Sequence, residues 1–397
     1  MKIVDMKTTW ICIPIEKPML GTTGVHPGRF SRTIVELITD EGIVGLGEVG
    51  GGDQRAALER LKPRLIGESP FDLERIRQRT LRQVYYISNS RLYSAIEIAC
   101  LDIQGKSIGR PVSDLLGGKI RDKVPMCGYL FFRYGNENGG DELTVDTVTA
   151  EGERLIDTYG FKSIKLKGGG YIHPQQEADI CFNLRKKFGR DLNIRYDPNG
   201  SLSLGTGMRL ANRFLDCDLE YFEDPVWGIE AMSNLRKSVN MPLATNMCVK
   251  SFDDLGPGIT RHAIDIVLSD LYYWEGPRGV KRLAAVCEAM GVGLSMHSGT
   301  EFGITMAAML HTAATTPYLS HDIDAHYHHL TDDIIVGGPL PYKDGCMEVP
   351  AGPGLGVELD PEKVEKYSRY AEEKGDYYKA FLADDRRPDW FQIVPGW

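Results

Sequence analysis

Two lysines one residue apart, Lys165 and Lys167 in "FKSIKLKGGG", sit in a stretch that reads as a β-strand. Strand side chains alternate faces, so both ammonium groups point one way and Ile164 and Leu166 the other. Facing water, they belong to an ordinary half-buried strand. Facing an enclosed interior, two like charges share a poorly solvated space, and that needs a chemical reason. The segments downstream decide between the two. The next apolar runs end in "YDPNG" with Asp197 and Asn199, "FEDP" with Glu223, "TNM" with Asn246, "LSD" with Asp270 and "MHSG" with His297. One polar strand end is what any surface loop supplies. Six successive strands ending in ionisable or amide side chains point instead to a shared mouth, with the lysines turned into it.

The residue types then set the chemistry. Asp197, Glu223 and Asn246 offer hard oxygen donors from three neighbouring strands, without a cysteine, and the nearest histidine is two strands away. That set suits Mg²⁺ rather than zinc, with room for water and an anionic substrate. Taken singly, each of the three is also explained as a loop cap or turn residue; their placement on successive strands is not. Lys165 and Lys167 lie on one side of such an ion and His297 on the other. A second cation and a metal nearby are expected to lower a lysine's pKa towards use as a base. Asp270, one strand before His297, is expected to hold the imidazole and raise its basicity. The assembly suits removal of a proton from the carbon next to a carboxylate, with the ion and Lys165 stabilising the enediolate.

These residues need a scaffold that brings strand ends together. From about residue 124 the chain alternates strand and helix: "VPMCGYLF", "KSIKLK", "LNIRYD", "LEYFED", "PLATNM", "AIDIVLSD", "GLSMHS" and "YLSHDID" are separated by helical segments such as "EADICFNLRKKFG" and "PRGVKRLAAVCEAMG". Eight such strands predict a (β/α)-barrel with its active site at the C-terminal strand ends. Residues 124–354 form that barrel. Residues 1–123 read as an α+β cap, and the tail 355–397 falls outside the repeat and is expected to pack back on it. In the cap, "RTIVELITDEGIVGLGEV" is a hairpin turning at Gly42, followed by helical stretches "DQRAALERLKPRLIG", "FDLERIRQRTLRQVYY" and "SRLYSAIEIACLDIQGKSIG". "GLGEVG" is formally a GxGxxG, but it follows a hairpin rather than opening a βαβ unit, which speaks against a dinucleotide site.

Bulk composition narrows the function classes. The 397 residues carry 46 Lys and Arg against 55 Asp and Glu, a net charge of −9, with no basic run dense enough for nucleic acid. No apolar run is long enough to span a membrane, and the start lacks a signal-peptide pattern, so a cytoplasmic location is expected. Eight scattered cysteines without a CxxC pair predict reduced, mostly buried thiols. A small-molecule acid is the expected partner, and a homo-oligomer the expected assembly.

The KxK strand, then Asp, Glu and Asn on the next three strands, then an Asp–His pair, resembles the enolase superfamily and its D-glucarate dehydratase-like branch, with a mandelate racemase-like fold. "CGYLFF", "KLKGG", "DPNG", "EDP", "ATNM" and "VPGW" carry the resemblance over nearly the whole chain. The pairing of a lysine or histidine base with Mg²⁺ is a known pattern of that superfamily. The resemblance implies a modified (β/α)7β-barrel with an α+β cap. It implies Lys167 and His297 as opposed bases, Lys165 and Asp270 as their partners, and Mg²⁺ on Asp197, Glu223 and Asn246. His26 in "GVHPGRF", Tyr129, Asn199, Ser298 and His326 are implied as substrate contacts; without the resemblance, His26 is a surface histidine and the cluster His321, His326, His328 and His329 a solvated stretch.

The implied activity is dehydration of a sugar acid to a 2-keto-3-deoxy acid. The branch carries a C-terminal arginine for the far carboxylate of a six-carbon diacid. Here "FLADDRRPDW" puts alanine or aspartate at that place, with Arg386 and Arg387 a few residues on. An aldonate such as L-lyxonate therefore competes with an aldarate as substrate. A racemase or epimerase on the same framework and a sugar-acid-binding barrel without catalysis are the other readings. His26 and Arg29 in the cap favour a polyol, and retention of both bases favours an enzyme.

Overall fold

The computed structural model describes residues 1–84 and 87–397. Its centre is the expected barrel. Eight parallel strands run in sequence order: Lys123–Leu130, Ser163–Lys167, Asn193–Asp197, Tyr221–Glu223, Leu243–Thr245, Ile266–Ser269, Gly293–Met296 and Ile323–Ala325. Each pairs with the next from the first to the seventh, and the eighth pairs with the first. The seam between seventh and eighth strands is closed by Ser320, whose N–H donates to Leu294 O at 3.0 Å and whose Oγ accepts from Leu294 N at 3.1 Å. Seven helices make the crossovers between successive barrel strands, giving the (β/α)7β order.

Local sequence explains the helix limits. The first crossover helix, Val145–Tyr159, opens at Thr144, whose hydroxyl accepts from Thr147 N, and stops at Gly160 in the left-handed region (φ 74°). Two cap helices are shorter than the sequence suggests. "DQRAALERLKPRLIG" is α-helical only over Arg55–Leu61 and tightens to a 3₁₀ turn around Pro63, which has no N–H to continue the ladder. "FDLERIRQRTLRQVYY" is helical over Leu73–Thr80. There Asn89 Nδ2 takes the Thr80 carbonyl at 3.1 Å, and Arg82–Val84 turns into a strand paired with Ile87–Ser88. Tyr85 and Tyr86 of that stretch lie outside the described residues.

In the cap, the long strand Ile3–Pro14 pairs antiparallel with Arg29–Thr39, which pairs with Val44–Gly50 through the hairpin at Gly42. The glycines of "GLGEVG" serve packing. A Cβ on Gly45 would lie 2.1 Å from Ala99 O, and one on Gly47 2.2 Å from Ala95 O. Only glycine lets the helix Ser90–Ile108 lie this close to the sheet. From the tail, the helix Pro361–Lys374 packs against the strand Ile3–Pro14. The last residues reach the barrel mouth: Trp397 Nε1 donates to Gly169 O at 2.7 Å, and Gly396 N to Ser201 O at 2.7 Å. All eight cysteines are unpaired thiols and six are buried. Among the described residues no helix is long and apolar enough to cross a membrane.

Candidate active site

The lysines point inward. Lys165 is fully buried and Lys167 nearly so. Register sets their neighbours: Lys165 lies beside Arg195, and Lys167 beside Asp197. The Lys165 ammonium contacts the carboxylates of both Glu223 and Asp324, and Lys167 contacts Asp197 Oδ2. The Tyr129 ring lies 5.1 Å from Lys165 Nζ and 5.3 Å from Lys167 Nζ. Its hydroxyl donates to Asp324 Oδ2 at 3.0 Å. Tyr129 is therefore a wall beneath the lysines, and its hydroxyl faces the barrel interior rather than the cleft.

Asp324 and Arg195 were not among the sequence candidates. Arg195 donates to Asp324 Oδ1 at 2.9 Å and completes a buried network with Lys165. Position alternation carried a signal for Arg195, which stands two residues before Asp197 and so shares its inward face. Asp324 sets the charge state of Lys165, the expected electrostatic partner of Lys167. Burial pulls the ammonium's pKa down, but Asp324 and Glu223 outweigh it and hold the pKa above 10.5. Lys165 is thus a fixed positive charge, not a base.

Asp197, Glu223 and Asn246 come together at three adjacent strand ends, all buried. Asp197 Oδ1 accepts from the backbone N of Asn199 at 2.8 Å and from its Nδ2 at 3.1 Å, and Asn199 takes the left-handed φ of 51°. Asp224 holds the next loop in place, accepting from Asn246 N at 2.9 Å and Met247 N at 3.1 Å. Glu223 Oε2 touches Lys165 without a hydrogen bond of ordinary geometry. Burial first, then Asp197, pushes the Glu223 carboxyl well up from its usual range.

The Asn246 amide has two useful orientations. With nitrogen towards the carboxylates it donates to Asp224 (3.0 Å) and Glu223 (3.2 Å), and its oxygen accepts from His297 Nε2 at 3.1 Å. With oxygen towards Glu223, the amide offers an oxygen donor on the strand end next to the two carboxylates. Two crowded carboxylates, an underused buried oxygen and a reversible amide fit a small divalent cation. Among the described residues no three His, Cys, Asp or Glu side chains form such a group; the third donor here is an amide.

His297 follows the seventh strand. Burial, then the charges of Lys167 and Lys165, hold its pKa well below 6.5, so it is a neutral imidazole. Asp270 Oδ2 lies 3.6 Å from His297 Nδ1, too far for a good hydrogen bond. Burial pushes the Asp270 carboxyl up to about 8, against the hydrogen bond from Tyr273 N and the charge of Arg91. In this geometry the hydrogen bond expected between Asp270 and His297 is not formed.

A cleft of about 260 Å³ opens over this floor, lined by Lys167, Asn199, His297 and Ser298 from the barrel and by His26 and His326 among others. His26 stands on the short strand Val25–His26. Its Nδ1 is 2.5 Å from Tyr377 Oη, and burial followed by the charge of Lys167 pushes its pKa down to about 3. Ser298 donates to Glu301 Oε2 at 2.5 Å and accepts from His326 N at 2.8 Å. His326, His328 and His329 are buried, not solvated; His328 Nε2 accepts from Tyr129 N at 3.1 Å. Arg29 is buried against the tail, with Nη2 on Lys374 O.

Neither tail arginine lines the cleft. Arg386 pairs with Asp141 at 2.8 Å and Arg387 with Asp384 at 2.7 Å. The lining cation from outside the barrel is Arg91, which the sequence reading passed over because it sits in the first turn of an otherwise apolar helix.

The sequence matches two family descriptions. Residues 8–117 match the mandelate racemase / muconate lactonizing enzyme N-terminal domain, and residues 147–364 the enolase C-terminal domain-like family. The chain belongs to the enolase superfamily. It is 36% identical to a probable glucarate dehydratase of Streptomyces coelicolor, over 96% of each chain. It is 27% identical to the D-xylonate dehydratase of Haloferax volcanii, over 87% of each. Among solved structures, an enolase of Pseudomonas fluorescens with bound magnesium, potassium and tartrate superposes with a TM-score of 0.91 at 35% identity, covering 100% of this chain and 99% of that one.

Proposed function

We propose that this protein is a Mg²⁺-dependent acid-sugar dehydratase, a hydro-lyase that converts a sugar acid to its 2-keto-3-deoxy acid and water. One observation carries the reading: the two bases stand at opposite ends of one row of oxygen donors. Lys167 touches Asp197 at one end, and His297 lies 3.1 Å from Asn246 at the other. A carboxylate bound at that row has its α carbon between them. The dehydratases among the relatives support the reaction class, and the magnesium in the solved neighbour supports the ion.

Asp197, Glu223 and Asn246 would hold Mg²⁺, which when bound supplies positive charge against the second negative charge growing on the substrate carboxylate. Neutral His297 takes the α-proton, and the C–H electron pair moves into the carboxylate as an enediolate. The Lys165 ammonium, kept charged by Asp324 and Glu223, offsets that charge from below. The electron pair then returns to form the Cα–Cβ double bond as the β C–O bond breaks. The imidazolium gives its proton to the departing hydroxide, which leaves as water, and the enol tautomerises to the ketone. Lys167 stands towards the opposite face of the same carbon.

The experiment is a panel of aldonates and aldarates with Mg²⁺, scored for 2-keto-3-deoxy product as its semicarbazone. Turnover of at least one member is expected. Interconversion of epimers without loss of water would instead identify a racemase or epimerase.

A further inference from the structure

Arg91 is a guanidinium on the cleft wall whose charge is felt by the nearby Asp270 carboxyl. It projects from the helix Ser90–Ile108 of the cap and lines the same cleft as Lys167 and His297. Among the described residues it forms no ion pair, although 46 of the chain's residues are Lys or Arg and most cations near the site are paired. A partly buried guanidinium outside any ion pair needs other support. The protein holds it there on an aromatic platform: its carbon lies 5.2 Å from the Tyr272 ring and 4.8 Å from the Tyr273 ring, and Nη2 donates to Tyr273 Oη at 2.5 Å.

That leaves Nη1 for another partner. A Cβ on Gly51 would lie 3.4 Å from Arg91 Nη1 and 3.5 Å from Tyr378 Oη, so both donors converge beside this glycine, which has φ 104°. Gly51 and Tyr378 line the cleft too. The platform belongs to the loop that carries Asp270, whose Oδ1 accepts from Tyr273 N at 2.7 Å. Arg91 is therefore tied to the His297 side of the site. A fixed guanidinium and a phenol converging on an open point are built to take a carboxylate.

We propose that Arg91, with Tyr378, binds the second carboxylate of a diacid, so that the substrate is an aldarate rather than an aldonate. This rests on the dehydratase reading for the nature of the acid, but not for the presence of the subsite. A cleft of about 260 Å³ falls below the ~300–1,000 Å³ common for drug-sized ligands and suits a short polyol acid.

The test compares a hexarate with the matching hexonate on the Mg²⁺-loaded protein and on Arg91→Met, Arg91→Lys and Tyr378→Phe. Calorimetric binding of a hydroxy-dicarboxylate and a hydroxy-monocarboxylate runs alongside. The wild-type protein should prefer the diacid in kcat/KM. Arg91→Met should lose roughly 10- to 100-fold on the diacid and little on the monoacid. Arg91→Lys should recover part of the loss, and Tyr378→Phe, a change at an exposed residue, should weaken the diacid alone. Equal losses on both acids, or a wild-type preference for the monoacid, would overturn the proposal. If no sugar acid is turned over, the dehydratase reading fails by itself and the calorimetry still decides. Tighter diacid binding that Arg91→Met abolishes supports the subsite, and indifference to the substitution refutes it.

Discussion

His297 Nε2 stands 3.1 Å from the side-chain amide of Asn246, so the last member of the candidate metal set touches one of the two proposed bases. When the amide oxygen accepts from the imidazole it is turned away from Glu223; to serve an ion it must turn back. Metal binding should therefore be visible in the protein itself. Adding Mg²⁺ to EDTA-treated protein should raise its melting temperature, since a ligand at 100 times its Kd stabilises by about 2.7 kcal/mol. Glu223→Gln and Asn246→Ala should lose most of that rise, and calorimetric scans with and without the ion check it.

Removing either base should separate the two faces of the α carbon. His297→Asn should cost roughly 10²–10⁴-fold in kcat, the usual worth of a positioned acid–base group. Lys167→Ala should suppress activity on the epimer presented to its face while sparing more of the other. Assays with C2-epimeric substrates, with folding checked by circular dichroism, distinguish these outcomes from a general loss.

The cap glycines should matter for stability and not for chemistry. Gly47→Ala would place a methyl 2.2 Å from Ala95 O, and overpacking of this kind typically costs 1–3 kcal/mol. The denaturant midpoint should fall by a corresponding amount, while kcat of the folded fraction stays near the wild-type value.

Acid should destabilise the fold through its buried histidines. Burial holds His311 down to about 4 from 6.5, with Nδ1 accepting from Ser113 N at 3.3 Å. The unfolded chain takes up the proton below 6.5 while the folded one refuses it until about 4. His311 therefore contributes stability that is present above 6.5 and lost as pH falls through 4, on the order of 3 kcal/mol. His26 and His328, both held near 3, act in the same direction. Urea unfolding at several pH values between 7.5 and 4 should show the decline, and His311→Gln should make it shallower.

Much of this site is legible in the chain because a parallel barrel converts strand ends into neighbours. Lys167, Asp197, Glu223, Asn246 and His297 each end a strand or stand one residue beyond it, and the register does the rest. What is less legible depends on burial and on long-range approach. Asp324 ends the eighth expected strand, "YLSHDID", but nothing in the sequence shows that it is fully buried and pairs with Lys165. Asp270 looks like an orienting carboxylate for His297, but nothing in one sequence shows that burial raises its pKa to about 8. Arg91 reaches the cleft from the helix Ser90–Ile108, which packs closely on Gly45 and Gly47 of the cap sheet.

The most direct test of the central claim is a proton NMR time course of a sugar acid with the Mg²⁺-loaded protein in D₂O. The account predicts loss of the α-proton signal together with the growth of a 2-keto-3-deoxy product carrying solvent deuterium at C3, and neither change with Lys167→Ala/His297→Asn. An α-proton that exchanges while every hydroxyl-bearing carbon remains intact, or exchange that persists in the double variant, would contradict it.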